Sequence, residues 1–166
     1  MHYYIDGYNV VFRLLKASDD LQRQREQIIQ DFSIKIQTLK IDATLVFDSH
    51  LQEGESTRSH LHLMGISFSA YGETADDFIL EEPKSCDPRK EIVVTSDKHL
   101  AWRARRSGAQ TQSVEEFVQW LNKRYLNHKR KQKIEKKAPS VFIPPPPVPI
   151  AVKKLFKPQH EDKAEA

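Results

Sequence analysis

The sequence predicts an α/β fold: a mostly parallel central sheet wrapped by helices. Three observations point to it. Apolar runs of strand length, such as Ala43-Thr44-Leu45-Val46-Phe47 and Ile92-Val93-Val94, are nearly continuous, the pattern of strands covered on both faces. Helix-period segments separate them, as parallel pairing requires. The strand-like segments that start at Tyr3, Ala43 and Glu91 run into aspartates, at Asp6, Asp48 and Asp97.

Taken in order, Tyr3-Tyr4-Ile5 is short, aromatic and β-branched, and it enters a turn at Asp6-Gly7-Tyr8-Asn9, so it reads as a first strand leading into a loop. From Leu21 to Leu39 the apolar residues Ile29, Phe32, Ile36 and Leu39 follow 3-4-3 spacing, which predicts an amphipathic helix. Ala43 to Phe47 is the central strand. Leu51 to Met64 is polar and aperiodic and reads as a loop, after which Ile66-Ser67-Phe68-Ser69 alternates like a short strand. Thr74-Ala75-Asp76-Asp77 has capping-box spacing and opens a helix. Glu91 to Thr95 is a buried-type strand, a short helix ends at Gly108, and Ser113-Val114-Glu115-Glu116 is a second capping box.

The chain divides by charge and by proline. Residues 1–122 carry 14 Lys/Arg against 19 Asp/Glu, whereas residues 123–166 carry 12 against 4. Seven of the nine prolines lie between Pro139 and Pro158, where regular backbone hydrogen bonding fails. One domain over 1–126 and a basic, Pro-rich, flexible tail over 127–166 are therefore expected. No stretch approaches the roughly 18 apolar residues of a membrane span, and Met1 to Asp6 does not read as a secretory leader. The single cysteine, Cys86, excludes an internal disulfide and fits a reducing compartment, so a cytoplasmic location is expected.

In an open parallel sheet the carboxyl ends of the strands share one edge, where such folds bind ligands. Asp6, Asp48 and Asp97 should meet there, joined by Asp76 and Asp77 at the start of the next helix. Carboxylates so close raise each other's pKa unless something positive neutralises them. An oxygen-only set suits Mg²⁺ or Mn²⁺, which also bind phosphates, and the natural chemistry is hydrolysis of a phosphodiester. Ser96, with Thr95, and Arg103 are candidate phosphate contacts, although helix capping by Ser96 and a solvated helix face for Arg103 are simpler roles. Asp77 is equally readable as a capping partner. His50, His60 and His62 lie in the polar stretch without a fixed partner and are read as surface residues.

Asp6-Gly7-Tyr8-Asn9-Val10, Val46-Phe47-Asp48, Glu73-Thr74-Ala75-Asp76-Asp77 and Val94-Thr95-Ser96-Asp97 resemble, in order, the motifs of YacP-like NYN-domain ribonucleases, relatives of the PIN nucleases. The likeness covers about residues 3–125. It implies a three-layer PIN-like sheet and Mg²⁺- or Mn²⁺-dependent endonucleolytic cleavage of RNA, in bacterial mRNA turnover linked to the ribosome. Carried over motif by motif, it makes Asp6, Asp76 and Asp97 the principal metal-holding acids, with Asp48 and Asp77 supporting and Asn9 orienting the first motif. The Pro-rich tail is no part of that pattern.

Other functions fit less well. A haloacid-dehalogenase phosphatase needs a second aspartate two residues after the first, and that position is Tyr8. No Gly-rich phosphate loop such as G-x-G-x-x-G follows a strand, which disfavours a small-molecule-binding α/β domain. An RNA- or ribosome-binding adaptor that uses the tail and keeps the acidic cleft as a relic or magnesium store is the remaining alternative, but a mere binder has no use for four converging carboxylates.

Overall fold

In a computed structural model, residues 1–15, 20–49, 57–81 and 87–137 are described. Cys86, His50 and the Pro-rich segment lie outside them. Among the described residues six strands form one sheet: β1 (His2–Asp6), β2 (Asp42–Phe47), β3 (Thr57–Leu61), β4 (Met64–Phe68), β5 (Glu91–Val94) and β6 (Gln110–Gln112). Their spatial order is β3-β4-β2-β1-β5-β6, parallel throughout except for β3, which runs antiparallel to β4. The helices are α1 (Gly7–Leu14), α2 (Leu21–Leu39), α3 (Ala75–Glu81), α4 (Lys98–Arg106) and α5 (Val114–Lys137).

Alternation along the strands builds the layers. Ile5, Leu45, Phe47, Ile92 and Val94 face one way, against Val10 and Val11 of α1, Phe32 and Ile36 of α2, and Phe117 and Leu121 of α5. Tyr4, Val46 and Val93 face the other way, against Phe78 and Ile79 of α3 and Leu100 and Ala104 of α4. The result is the predicted three-layer α/β/α arrangement with a mostly parallel sheet. Because β1, β2 and β5 are parallel and in close register, Asp6, Asp48 and Asp97 follow at the same edge.

Two local readings are corrected. The chain after β1 is not a loop, since α1 starts at Gly7 with Asp6 as its N-cap. Gly, Asn and two valines make that segment a weak helix former, so burial of Val10 and Val11 decides its conformation. The stretch 51–64 is not all loop either: Thr57–Leu61 is an edge strand. Paired on one side, with four of its five residues exposed, it needs no apolar alternation, and its polar surface discourages pairing with another chain. His62, at φ 61°, turns the chain between β3 and β4.

The helix predicted from Leu21 to Leu39 has those bounds. Both capping boxes form: Thr74 Oγ1 accepts the Asp77 N–H at 3.1 Å, and Ser113 Oγ accepts the Glu116 N–H at 3.2 Å. Leu126, where a domain end was expected, lies inside α5, which continues through the basic residues to Lys137. Among the described residues no helix is long and apolar enough to cross a membrane.

Gly7 is required by packing. A Cβ there would stand 2.4 Å from Phe47 Cε1, in a ring that is fully buried between Tyr8 and Phe68. Gly7→Ala should therefore lower stability by about 1–3 kcal/mol or more, read as a lower urea midpoint at unchanged slope. An unaltered midpoint would mean that α1 does not pack on β2 as described.

Candidate active site

The site begins with Asp6, which closes β1 and caps α1. Its Oδ1 accepts the Asn9 N–H at 3.2 Å and its Oδ2 accepts the Thr95 hydroxyl at 3.2 Å, so one carboxylate ties β1 to the end of β5. Asn9 strengthens the tie, because its Oδ1 accepts the Ser96 N–H at 2.9 Å. Thr95 Oγ1 in turn accepts the Asp97 N–H at 3.1 Å.

Asp6 is only 9% exposed. Burial pushes its carboxyl up to about 6, and the negative charges of Asp76 and Asp97 add to that push, against the hydrogen bonds from Asn9 and Thr95. Asp76, in the first turn of α3, is also raised, chiefly by burial and then by Asp97, while Arg103 and His99 act the other way. The three acids named from the motifs thus feel one another's charge.

They are not equally placed. Asp6, Asp48 and Asp76 line a cavity of about 450 Å³, whose other lining residues include Tyr8, Phe12 and Leu21. Asp97 lines a different groove, with Ser96, Lys98 and Arg105. Its Oδ1 accepts the N–H groups of His99 and Leu100, at 2.7 and 3.1 Å, as the N-cap of α4. Asp77 turns to partners of its own: Oδ2 accepts the Thr74 hydroxyl at 2.8 Å and Oδ1 meets Arg103 Nη2 at 3.0 Å. Those bonds, led by the one from Thr74, hold its pKa below the usual range. Arg103 is accordingly an ion-pair partner of Asp77 as well as a neighbour of Asp76.

Ser96 is engaged too. Its hydroxyl donates to Glu115 Oε2 at 2.7 Å and accepts the Val114 N–H at 3.1 Å, which fastens the start of α5 to the same edge. Glu115 also pairs with Arg13 of α1 at 3.2 Å. Thr95, expected at a phosphate, instead supports Asp6, and Glu115, Arg13, Tyr8 and Phe12 join the site without a functional signal in the sequence. Arg13 and Glu115 are joined across more than a hundred residues, a separation with no local signature, and Tyr8 and Phe12 share a face only because α1 is a helix.

Oxygen donors on Asp6, Asp48 and Asp76 have the chemistry of a hard divalent cation's ligands. Among the described residues, however, no three His, Cys, Asp or Glu side chains are drawn together as a ready cation cage. The donor set fits an ion held by one or two carboxylates whose remaining positions go to water and substrate oxygens, the usual manner of Mg²⁺.

A sequence profile for the YacP-like NYN domain matches residues 3–142, past Tyr125, where the motif likeness stops. The crystal structure of Rae1 (YacP) from Bacillus subtilis superposes with a TM-score of 0.60 at 24% identity, covering 82% of this chain and 83% of that one. A mutant form of the same protein gives a TM-score of 0.59 at 22% identity, covering 83% and 86%. At those identities the likeness is one of fold. No curated protein matches the chain.

Proposed function

Since the chain belongs to the YacP-like NYN domain family, a nuclease family directed at RNA, we propose that it is a Mg²⁺- or Mn²⁺-dependent endoribonuclease acting on mRNA in the cytoplasm, in association with the ribosome. The observation that carries this reading is the buried Asp6 carboxylate, facing Asp76 and raised to about 6 by its surroundings. A carboxylate kept so far from water is costly unless a cation joins it, and NYN and PIN-like nucleases typically use divalent metals.

In this reading Asp6 and Asp76 hold the ion, and Asp48 adds negative charge in the same cavity. Asp97 contributes through its charge and through the placement of α4. Asn9 and Thr95 fix the rotamer of Asp6, so the ligand waits in position. Asp77 holds Arg103 beside the acids, where the guanidinium can meet an RNA phosphate. Ser96 acts by tying β5 to α5, its hydroxyl being shared between Glu115 and the Val114 N–H. The bound cation would acidify a water and offset charge on the departing ribose oxygen. Overall a water adds to phosphorus, the phosphorus–oxygen ester bond breaks, and the leaving oxygen takes up a proton.

The decisive experiment incubates the purified full chain with RNA and Mn²⁺ or Mg²⁺, with and without chelator. Internal cuts that need the cation are expected. RNA bound but never cut would favour the adaptor reading instead, and cutting that survives chelation would remove the metal.

A further inference from the structure

Next to the acids the cavity has a second wall that hydrolysis alone does not call for. Tyr8 and Phe12 are one helical turn apart on α1, and their rings stack at 6.1 Å with 21° between planes. Tyr8 is fixed from behind: it meets Phe47 edge-on at 5.2 Å, and its hydroxyl accepts a hydrogen bond from Arg25 Nη1 at 3.4 Å. Phe12, by contrast, is 67% exposed at the rim, and Leu21 lines the same space. The shelf is therefore rigid at its base and open on its outer ring, and it shares the cavity with Asp6, Asp48 and Asp76.

We propose that the Tyr8–Phe12 shelf stacks the nucleobase beside the scissile phosphate and so holds the substrate strand over the acids. The proposal rests on the nuclease reading for what happens to the phosphate, and on the aromatic geometry for the base. A nucleotide has a polar, anionic end and a flat π-face, and the cavity is lined both by the acids, which on the nuclease reading carry a cation, and by an aromatic pair. Stacking on an exposed ring is indifferent to base identity, but it needs the face of the base to be free. In a duplex both faces are covered by neighbouring pairs, so a double strand has nothing to place on Phe12. The apolar shelf also explains why this acidic part of the chain would retain RNA at all.

The test uses the full chain with a short single strand carrying a fluorescent base analogue at the cut position. In an Asp76→Asn background, which stops cleavage on the reading above and leaves α1 intact, binding should quench the analogue. Adding Phe12→Ala should remove the quench and weaken binding roughly tenfold, and Phe12→Trp should restore both. In the otherwise native chain Phe12→Ala should raise KM for single-stranded RNA by about the same factor with kcat within about twofold. An abasic site at that position should cost the native chain as much and cost Phe12→Ala nothing further. An unmoved quench and KM in Phe12→Ala would overturn the proposal and assign the shelf to an apolar group of a protein partner. An abasic penalty that persists in Phe12→Ala would overturn it as well. A Phe12-dependent quench in a chain that never cuts RNA would keep the shelf and discard the nuclease, whereas cutting that ignores Phe12 would do the reverse.

Discussion

Asp6→Asn is expected to abolish RNA cleavage and, in cation-free buffer at neutral pH, to raise the melting temperature. The two effects share one cause. Asp6 is buried, and its pKa stands at about 6 against an ordinary 3.8. A raised carboxyl favours the folded state when protonated, so its contribution is complete below pH 3.8 and is lost as pH rises through about 6. At pH 7 the ionised group costs on the order of 2–3 kcal/mol, which Asn, uncharged and of equal volume, avoids. Asn also keeps an oxygen for the Asn9 N–H, and its amide can donate to Thr95. At about 2–4 °C per kcal/mol the variant should melt several degrees higher at pH 7 and level with the native chain near pH 4.

Added Mg²⁺ or Mn²⁺ should reverse the order, since a ligand that binds only the folded native site raises its melting temperature and leaves the variant unmoved. Cleavage should fall by about a thousandfold or more, the kinetic equivalent of several kcal/mol of lost charge stabilisation. Asp76→Asn should behave alike in activity, with a smaller gain in stability because Arg103 and His99 already offset part of its charge. Thermal scans at the two pH values with chelator or cation, beside a cleavage assay, check all of this. Equal melting at pH 7 would show that Asp6 is not held against its will, and undiminished cleavage would remove it from the site.

Most of the scaffold is legible in the sequence because its signals are local. The 3-4-3 spacing of α2, the two capping boxes and the apolar runs of β2 and β5 each report their own environment. So does the sheet edge: strands that end in Asp and run parallel must deliver those residues to one side. What escapes notice depends on partners far away. Gly7 to Phe12 lacks strong helix formers and becomes helical because its valines are wanted in the core, so the Tyr8–Phe12 pair is invisible until that helix exists. β3 is polar because it lies at an edge, which imitates a loop. The roles inside the acidic set are also settled tertiarily. Asp77 and Asp97 look like Asp76 and Asp6 on paper, yet Asp77 is claimed by Thr74 and Arg103, and Asp97, a helix cap like Asp6, is exposed where Asp6 is buried. Spacing identifies acids, but only burial and neighbours decide which of them hold a costly charge.

Replacing Arg130, Lys131, Lys133 and Lys136 by Gln together is expected to weaken RNA binding about ten- to a hundredfold at low salt and to flatten its salt dependence, with kcat at saturating RNA unchanged. These residues are exposed on the last turns of α5, where Glu135 is the one acid between Asn127 and Lys137. Their cost to the fold should be negligible, because the residues that anchor α5 in the core, Val114, Phe117 and Leu121, all precede Leu126. For the same reason a chain ending at Leu126 should still fold. Position explains the split between affinity and turnover. The first N–H of α5 is bonded to Ser96 at the site's edge, and at about 1.5 Å per residue Arg130 lies roughly 24 Å further along the axis. A cation that far away is beyond the Debye length of about 8 Å at physiological salt, so it cannot act on the scissile phosphate, though it can hold a distant stretch of the same polyanion. Every phosphate deprived of its cation should lower the slope of log affinity against log salt by about 0.7 for a single strand, so the fourfold variant should forfeit as much as about 3. A slope that stays put while affinity falls would mean that the helix binds something other than a phosphate backbone. A fall in kcat would mean that α5 bends the substrate toward the acids, and the basic half would then belong to the active site.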